Sequence, residues 1–83
     1  MPAASEARML CAPHAQIVEV LEKDYQERKV ADGLSDAGAL VELFLSDRRS
    51  WTIVFTIPGG PSCVLSTGEA WEIFWPAKPS DES

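Results

Sequence analysis

The 83-residue chain contains no asparagine, a single histidine, two cysteines and only seven basic residues. Without asparagine there is no N-glycosylation site. No run of about 18 apolar residues occurs, so the sequence predicts no membrane-spanning helix. The seven basic residues stand against thirteen acidic ones, for a net charge of −6. This balance argues against binding to nucleic acid or anionic lipid, because both require clustered cations.

Length and composition together predict one small globular domain. Hydrophobic residues make up 46% of the chain and charged residues 24%, as in ordinary folded domains. A chain this short buries only about two-thirds of the surface that its unfolded form exposes, so we expect it to need a covalent staple or a partner. We predict a flexible N-terminal arm over residues 1–9, a single α+β domain over 10–75 and a flexible tail over 76–83.

The first residues do not have the pattern of a secretory signal. Such a signal needs a basic start followed by about 7–15 apolar residues, and Glu6 and Arg8 interrupt any such stretch. From these residues alone we expect a cytoplasmic protein or one already processed.

One amphipathic helix is predicted over residues 13–29. Pro13 suits a first helical turn, where its missing N–H costs nothing. Apolar residues then recur on one face with the period of an α-helix, at Ile17, Leu21 and Tyr25. The opposite face is charged, as expected for a helix surface that meets water.

The hydrophobic period changes to two after Gly38, which predicts strands. Four short alternating segments follow, with polar or glycine-containing turns between them: residues 39–45, 51–57, 62–66 and 71–75. Connections this short exclude parallel crossovers. The predicted fold class is therefore α+β, with one N-terminal helix packed on a four-stranded antiparallel β-meander. We expect a core of Ile17, Leu21, Tyr25, Val41, Leu43, Ile53, Phe55, Leu65 and Ile73.

Several short motifs resemble those of one protein family. They are Cys11-Ala12-Pro13, Leu40-Val41-Glu42-Leu43-Phe44, Ser50-Trp51-Thr52-Ile53, Pro58-Gly59-Gly60, Ser62-Cys63 and Gly68-Glu69-Ala70-Trp71-Glu72. Over residues 11–72 the chain is similar to a family of small, uncharacterised bacterial and phage-borne proteins, many of them regarded as exported. The resemblance supports the fold and the cysteine pair and implies no activity. It also implies a periplasmic, exported or phage-borne location, although the leader sequence usual in the family is not evident here.

Cys11 and Cys63 are the two cysteines. An even number in a small domain favours one disulfide in an oxidising compartment. We place Cys63 on the covered face of the sheet and Cys11 just before the helix, so their Cα atoms should lie within about 7 Å of each other. Two buried thiols, as a reducing compartment would keep them, are the alternative.

The other chemical motifs are weak. Cys11 and His14 have a spacing found in metal sites, but structural zinc needs four ligands and the chain has no second pair. A Cys–His nucleophile lacks an orienting group. The segment Pro58-Gly59-Gly60-Pro61 lies between strands with no lysine after it, which predicts a turn and not a phosphate loop. We therefore predict no catalytic residue, no metal and no cofactor, and we identify no small-molecule ligand.

A candidate interface follows from the number of large side chains. One helix covers only one face of a sheet, so it buries only every second residue of each strand. Phe44, Val54 and Phe74 have the parity opposite the predicted core, so we expect them to form an exposed apolar patch ringed by polar residues. We predict that a protein partner or a second copy of the chain binds there. The alternative is that a terminal segment folds over these residues.

Three classes of function remain open. Small size and the absence of a catalytic motif favour a non-catalytic interaction protein, either binding or inhibitory. The second class is an enzyme that uses Cys11 or Cys63 as its nucleophile. The third is an acidic decoy that mimics nucleic acid, which would need carboxylates aligned along one face.

Overall fold

The computed structural model describes residues 10–74. The predicted N-terminal arm, the predicted C-terminal tail and Trp75 lie outside the described residues. The described part contains one helix and five strands in the order β1 (Leu10–Ala12), α1 (His14–Asp24), β2 (Arg28–Leu34), β3 (Leu40–Leu45), β4 (Trp51–Thr56) and β5 (Ser62–Gly68).

The five strands form one antiparallel sheet in the order β1-β5-β4-β3-β2. Strands β2 to β5 are a meander, and β1 adds to the far edge beside β5. This confirms the α+β class and the antiparallel sheet. The predicted number of four strands is wrong, and so is the placement of the helix ahead of every strand.

The extra strands come from segments with weak sequence patterns. β1 is only three residues long, and β2 contains Asp32 and Gly33, which are typical of loops. The predicted strand at 71–75 is wrong, because residues 71–74 form no strand. Ala70 has a positive φ of 59°, and the Trp71 N–H donates to the Arg49 carbonyl oxygen in the turn before β4, 3.1 Å away.

The helix connects the two edges of the sheet. β1 and β2 are four strand spacings apart, about 19 Å, and an 11-residue helix is about 16 Å long. α1 therefore crosses one whole face of the sheet between its two neighbouring strands. We call this the covered face and the other side the open face.

The helix ends at Asp24 and not at Lys29 as predicted. Gln26 has a left-handed φ of 57°, and the Glu27 N–H donates to the Leu21 carbonyl oxygen at 2.9 Å. This hydrogen bond spans seven residues, one more than the six-to-one bond of a Schellman motif, and with the left-handed residue before it the bond terminates the helix. The sequence did not indicate this helix end, because glycine usually occupies the left-handed position.

The core lies between α1 and the covered face. Ile17 and Leu21 of the helix pack against Phe44 of β3 and Val54 of β4. The predicted burial of Ile17 and Leu21 is confirmed. Four other predicted core residues lie half-buried on the open face, and three are exposed: the first group is Val41, Leu43, Ile53 and Phe55, and the second is Tyr25, Leu65 and Ile73.

The prediction assigned the residues of β3 and β4 to the wrong faces of the sheet, and this error has a physical cause. On β4 the covered face presents Thr52, Val54 and Thr56, which are small enough to leave room for a helix, whereas the bulkier Ile53 and Phe55 point the other way. Leu65 is exposed for a separate reason. Ser66 pairs with Ile53 and Val64 pairs with Val54, so Leu65 is the extra residue of a bulge.

Candidate functional site

The predicted interface of Phe44, Val54 and Phe74 is not brought together by the fold. Phe44 is 1% exposed and Val54 is 0% exposed, both beneath α1, so the expectation that they form a surface patch is wrong. Phe74 is 80% exposed, but it lies beyond the sheet. The error follows from the parity of β3, where both faces are apolar and only Glu42 marked one side as polar.

Cys11 and Cys63 form a disulfide. They face each other directly in the register of β1 and β5, with Cα atoms 4.0 Å apart, which confirms the predicted proximity. The predicted side of the sheet is wrong. Cys63 also pairs with Phe55, so the bridge lies on the open face. With the bridge intact neither sulfur is a thiol.

The open face is mostly apolar, with Ser66 of β5 as a polar side chain beside Ile53. Its rows run across the strands through directly paired residues. In the part of the chain that the structure describes, the register places one charged side chain on this face, that of Arg28 at a corner. The apolar residues are Ala31, Val41, Leu43, Leu45, Trp51, Ile53, Phe55 and the Cys11–Cys63 bridge.

A pair of indole rings borders one end of the open face. The ring centroids of Trp51 and Trp71 are 5.3 Å apart at a tilted angle. Trp51 Nε1 donates to the Glu69 carbonyl oxygen at 3.1 Å. The Trp51 ring also covers Gly68, since a Cβ there would lie 2.6 Å from Cζ2 of the indole. This close approach accounts for glycine at the end of β5.

Trp71 also lines a shallow depression in the open face. The depression has a volume of about 270 Å³. On the sheet it is bordered by Val41, Leu43 and Ile53. The open face therefore has a shallow apolar depression as well as exposed apolar surface.

A second concavity, the helix groove, lies between α1 and the covered face. Its volume is about 340 Å³, and most of its lining is apolar. The helix contributes Ile17, Val20 and Leu21, and the sheet contributes Val64 and Thr52. Tyr25 and Trp51 add two aromatic rings to the lining.

Glu27 lines this groove and is only 2% exposed. Its Oε2 accepts a hydrogen bond from Ser50 Oγ at 2.9 Å, while Oε1 has no hydrogen-bond partner. Because the Ser50 hydroxyl donates to Glu27, the 2.8 Å contact between the two serine hydroxyls has Ser46 as donor. The Ser50 N–H in turn donates to Ser46 Oγ. The turn before β4 thus holds one oxygen of a buried carboxylate.

A second buried carboxylate, Glu42, lies on the covered face and is 2% exposed. His14 Nε2 donates to its Oε1 at 2.8 Å, and Lys29 Nζ lies 3.4 Å from its Oε2. A hydrogen bond from Lys29 to Asp32, with a further contribution from Glu42, holds the pKa of Lys29 above its usual 10.5. His14 therefore joins the helix to the sheet. Within residues 10–74 it does not combine with other metal-binding side chains into a group of three.

Sequence reasoning missed Glu27, Ser50 and Glu42. Glu27 belongs to the charged face of the predicted helix, where a solvated side chain is the ordinary expectation. Glu42 has the same parity as Phe44, and that alternation was the available signal that an acid and an aromatic ring share one environment.

In comparisons with known proteins, the chain has no significant match to a family model, a curated protein or a solved structure. The resemblance to a family of small bacterial and phage-borne proteins stays a prediction from the motifs that carry it. Within residues 10–74, no helix has both the length and the apolar character needed to cross a membrane.

Proposed function

We propose that the protein is a small, non-catalytic interaction protein that uses the open face of its sheet. One observation carries the proposal. In an antiparallel sheet with a helix on one side, the other side ordinarily meets water and is polar. Here it is mostly apolar from β1 to β3, with Ser66 as a polar side chain on β5, and five of its large side chains are only half-buried. Contiguous apolar surface of this kind is typical of protein interfaces.

A second copy of the chain is the partner that the charge distribution favours. Two copies of a protein with a net charge of −6 repel each other, so a contact between them needs a surface that adds no local repulsion between acidic side chains. A two-fold contact brings each surface patch against itself. The open face meets this condition, because the register places on it no acidic side chain from residues 10–74. Two such faces would stack about 10 Å apart, as sheets do in β-sandwiches.

The disulfide supports a location in an oxidising compartment. Bridges of this kind persist in secreted and periplasmic proteins and are rare in the cytosol. We place the protein outside the cytosol, in the periplasm, in the medium or on a phage particle. The alternative of a cysteine-dependent enzyme requires reduction of the Cys11–Cys63 bridge before either sulfur becomes a nucleophile.

Sedimentation equilibrium of matched variants tests the proposal. Ile53→Lys introduces a charge on the open face, and Val20→Lys makes the same change on the helix, on the opposite side of the sheet. We expect the wild-type protein and Val20→Lys to approach twice the monomer mass as the concentration rises. Ile53→Lys should stay a monomer with an unchanged circular dichroism spectrum. A wild-type protein that is a monomer at every concentration, or equal association of both variants, would contradict the proposal.

A further inference from the structure

Glu27 is the least compensated polar group in the described part of the chain. Its carboxylate is 2% exposed, and among the buried side-chain oxygens and nitrogens of residues 10–74 its Oε1 alone lacks a hydrogen-bond partner. The ion pairs of these residues use Glu19, Asp32, Glu42 and Asp47, and none uses Glu27. A buried carboxylate without a cation is costly to the fold, so its retention points to a partner from outside the chain.

The local backbone explains how Glu27 reaches this position. Glu27 is the second residue after the helix C-cap Tyr25, a position from which an apolar side chain commonly packs back against the last turn. Here a carboxylate takes that place beside Leu21, and both residues line the helix groove. Gln26 adopts a left-handed φ of 57° immediately before it. Such a conformation is unfavourable for a residue other than glycine and is found disproportionately at binding sites.

We infer that the helix groove binds a small organic ammonium ion, with its charged head on Glu27 and its apolar part between α1 and the covered face. The Glu27 carboxylate, whose Oε1 is enclosed and has no hydrogen-bond partner, supplies a charge-assisted acceptor once the groove side chains admit the ammonium head. Tyr25 and Trp51 line the same groove, and aromatic rings attract cations through their faces. The groove volume of about 340 Å³ lies in the range of small-molecule pockets.

The lining also determines what the groove rejects. An anion would meet the carboxylate of Glu27 in a groove with no basic residue in its lining within residues 10–74. A purely apolar molecule would leave Oε1 without a partner. The helix groove lies mainly on the side of the sheet opposite the open face, and Trp51 borders both surfaces. The binding of an ammonium ion does not depend on self-association.

An NMR titration with three probes of similar shape tests the inference. The probes are phenethylammonium, phenethyl alcohol and hydrocinnamate, which are cationic, neutral and anionic. We expect phenethylammonium to shift the amide resonances of groove residues and to bind at least about tenfold more tightly than the alcohol, a difference of about 1.4 kcal/mol. Hydrocinnamate should leave these resonances unchanged. Equal affinity for all three probes, or no shift with phenethylammonium at millimolar concentration, would overturn the inference.

Three variants test whether phenethylammonium binds in the helix groove at Glu27. Glu27→Gln keeps the shape and the Ser50 hydrogen bond but removes the charge, and it should weaken phenethylammonium binding at least about tenfold. Glu22→Gln removes an exposed carboxylate of the same helix and should bind as the wild type does. Val20→Trp fills the groove from its exposed rim and should abolish binding, which gives a second test if Glu27→Gln does not fold. Undiminished binding by a folded Glu27→Gln or by Val20→Trp would refute the site.

Discussion

The two faces of the sheet differ in polarity and in burial. The covered face mixes Phe44 and Val54 with Glu42, Thr52 and Ser62, all of them buried. The open face is mostly apolar, and its large side chains other than Leu45 are left half-exposed. The helix has therefore packed on the more polar side of the sheet. The difference shows that the amount of apolar surface did not decide which face was covered.

Hydrogen bonding makes the polar face fit for burial. Glu42 is paired with His14 from the helix and Lys29 from β2. Thr56 and Ser62 share a hydrogen bond of 2.6 Å between their hydroxyls. Buried polar groups are tolerated when they have partners of this kind. The bulky apolar residues of the open face need no such partners inside the chain, and they remain available for an interface.

The comparison between the faces is tested most strongly by removing one phenylalanine from each. Phe44→Ala empties a fully enclosed site and should lower the free energy of unfolding by about 3–5 kcal/mol. Phe55→Ala removes a half-buried ring from the open face, and the loss should be about 1–2 kcal/mol because less apolar area is uncovered. Urea unfolding of both variants at low protein concentration measures the difference. Equal losses of unfolding free energy would mean that the open face contributes as much to the stability of the fold as the covered face does.

The disulfide should have the next largest effect. Reduction frees a loop between residues 52 positions apart, and the expected loss of unfolding free energy is about 2–4 kcal/mol. β1 is only three residues long and is joined to β5 by the bridge, so hydrogen exchange of its amides should accelerate first. Thermal melting with and without reductant measures the loss. A double Cys11→Ser, Cys63→Ser variant should not respond to reductant, and an unchanged melting temperature of the reduced wild type would disprove a stabilising bridge.

The smallest effect concerns the charged cluster of the covered face. Asp32 and then Glu42 raise the pKa of Lys29 above its ordinary value of 10.5 in the folded state. The contribution of Lys29 to the free energy of unfolding is therefore fully present below the pKa that Lys29 has in the unfolded state. It is lost as the pH rises through the higher pKa that Lys29 has in the folded state. The stability difference between wild type and Lys29→Gln should shrink between about pH 10 and pH 12. Lys23→Gln is the control, and an equal pH dependence in both variants would exclude a role for this cluster.

The sequence predicted the general fold and several of its parts. The change of hydrophobic period at Gly38 located β3 and β4 within one residue of their observed ends. The even cysteine count predicted the Cys11–Cys63 bridge, and the helical period predicted the burial of Ile17 and Leu21. These features depend on local pattern, which is why one sequence was sufficient for them.

The choice of face could not be predicted from local pattern. On β3 the two parities are both apolar apart from Glu42, and the position of the helix depends on long-range partners such as His14 and Lys29. The helix end was also hidden, because Gln26 takes the left-handed conformation usually given to glycine. The placement of Glu27 in the helix groove follows from that turn, so it could not be foreseen either.

The most direct test of the proposed interface is to detect contacts between two copies of the protein by NMR. A mixture of isotope-labelled and unlabelled chains shows nuclear Overhauser effects between copies separately from those within one copy. The account predicts such effects between the methyl groups of Val41 or Ile53 in one copy and the ring of Phe55 in the other. Contacts between copies that involve α1 and leave the open face unaffected would contradict it, as would their complete absence at millimolar concentration.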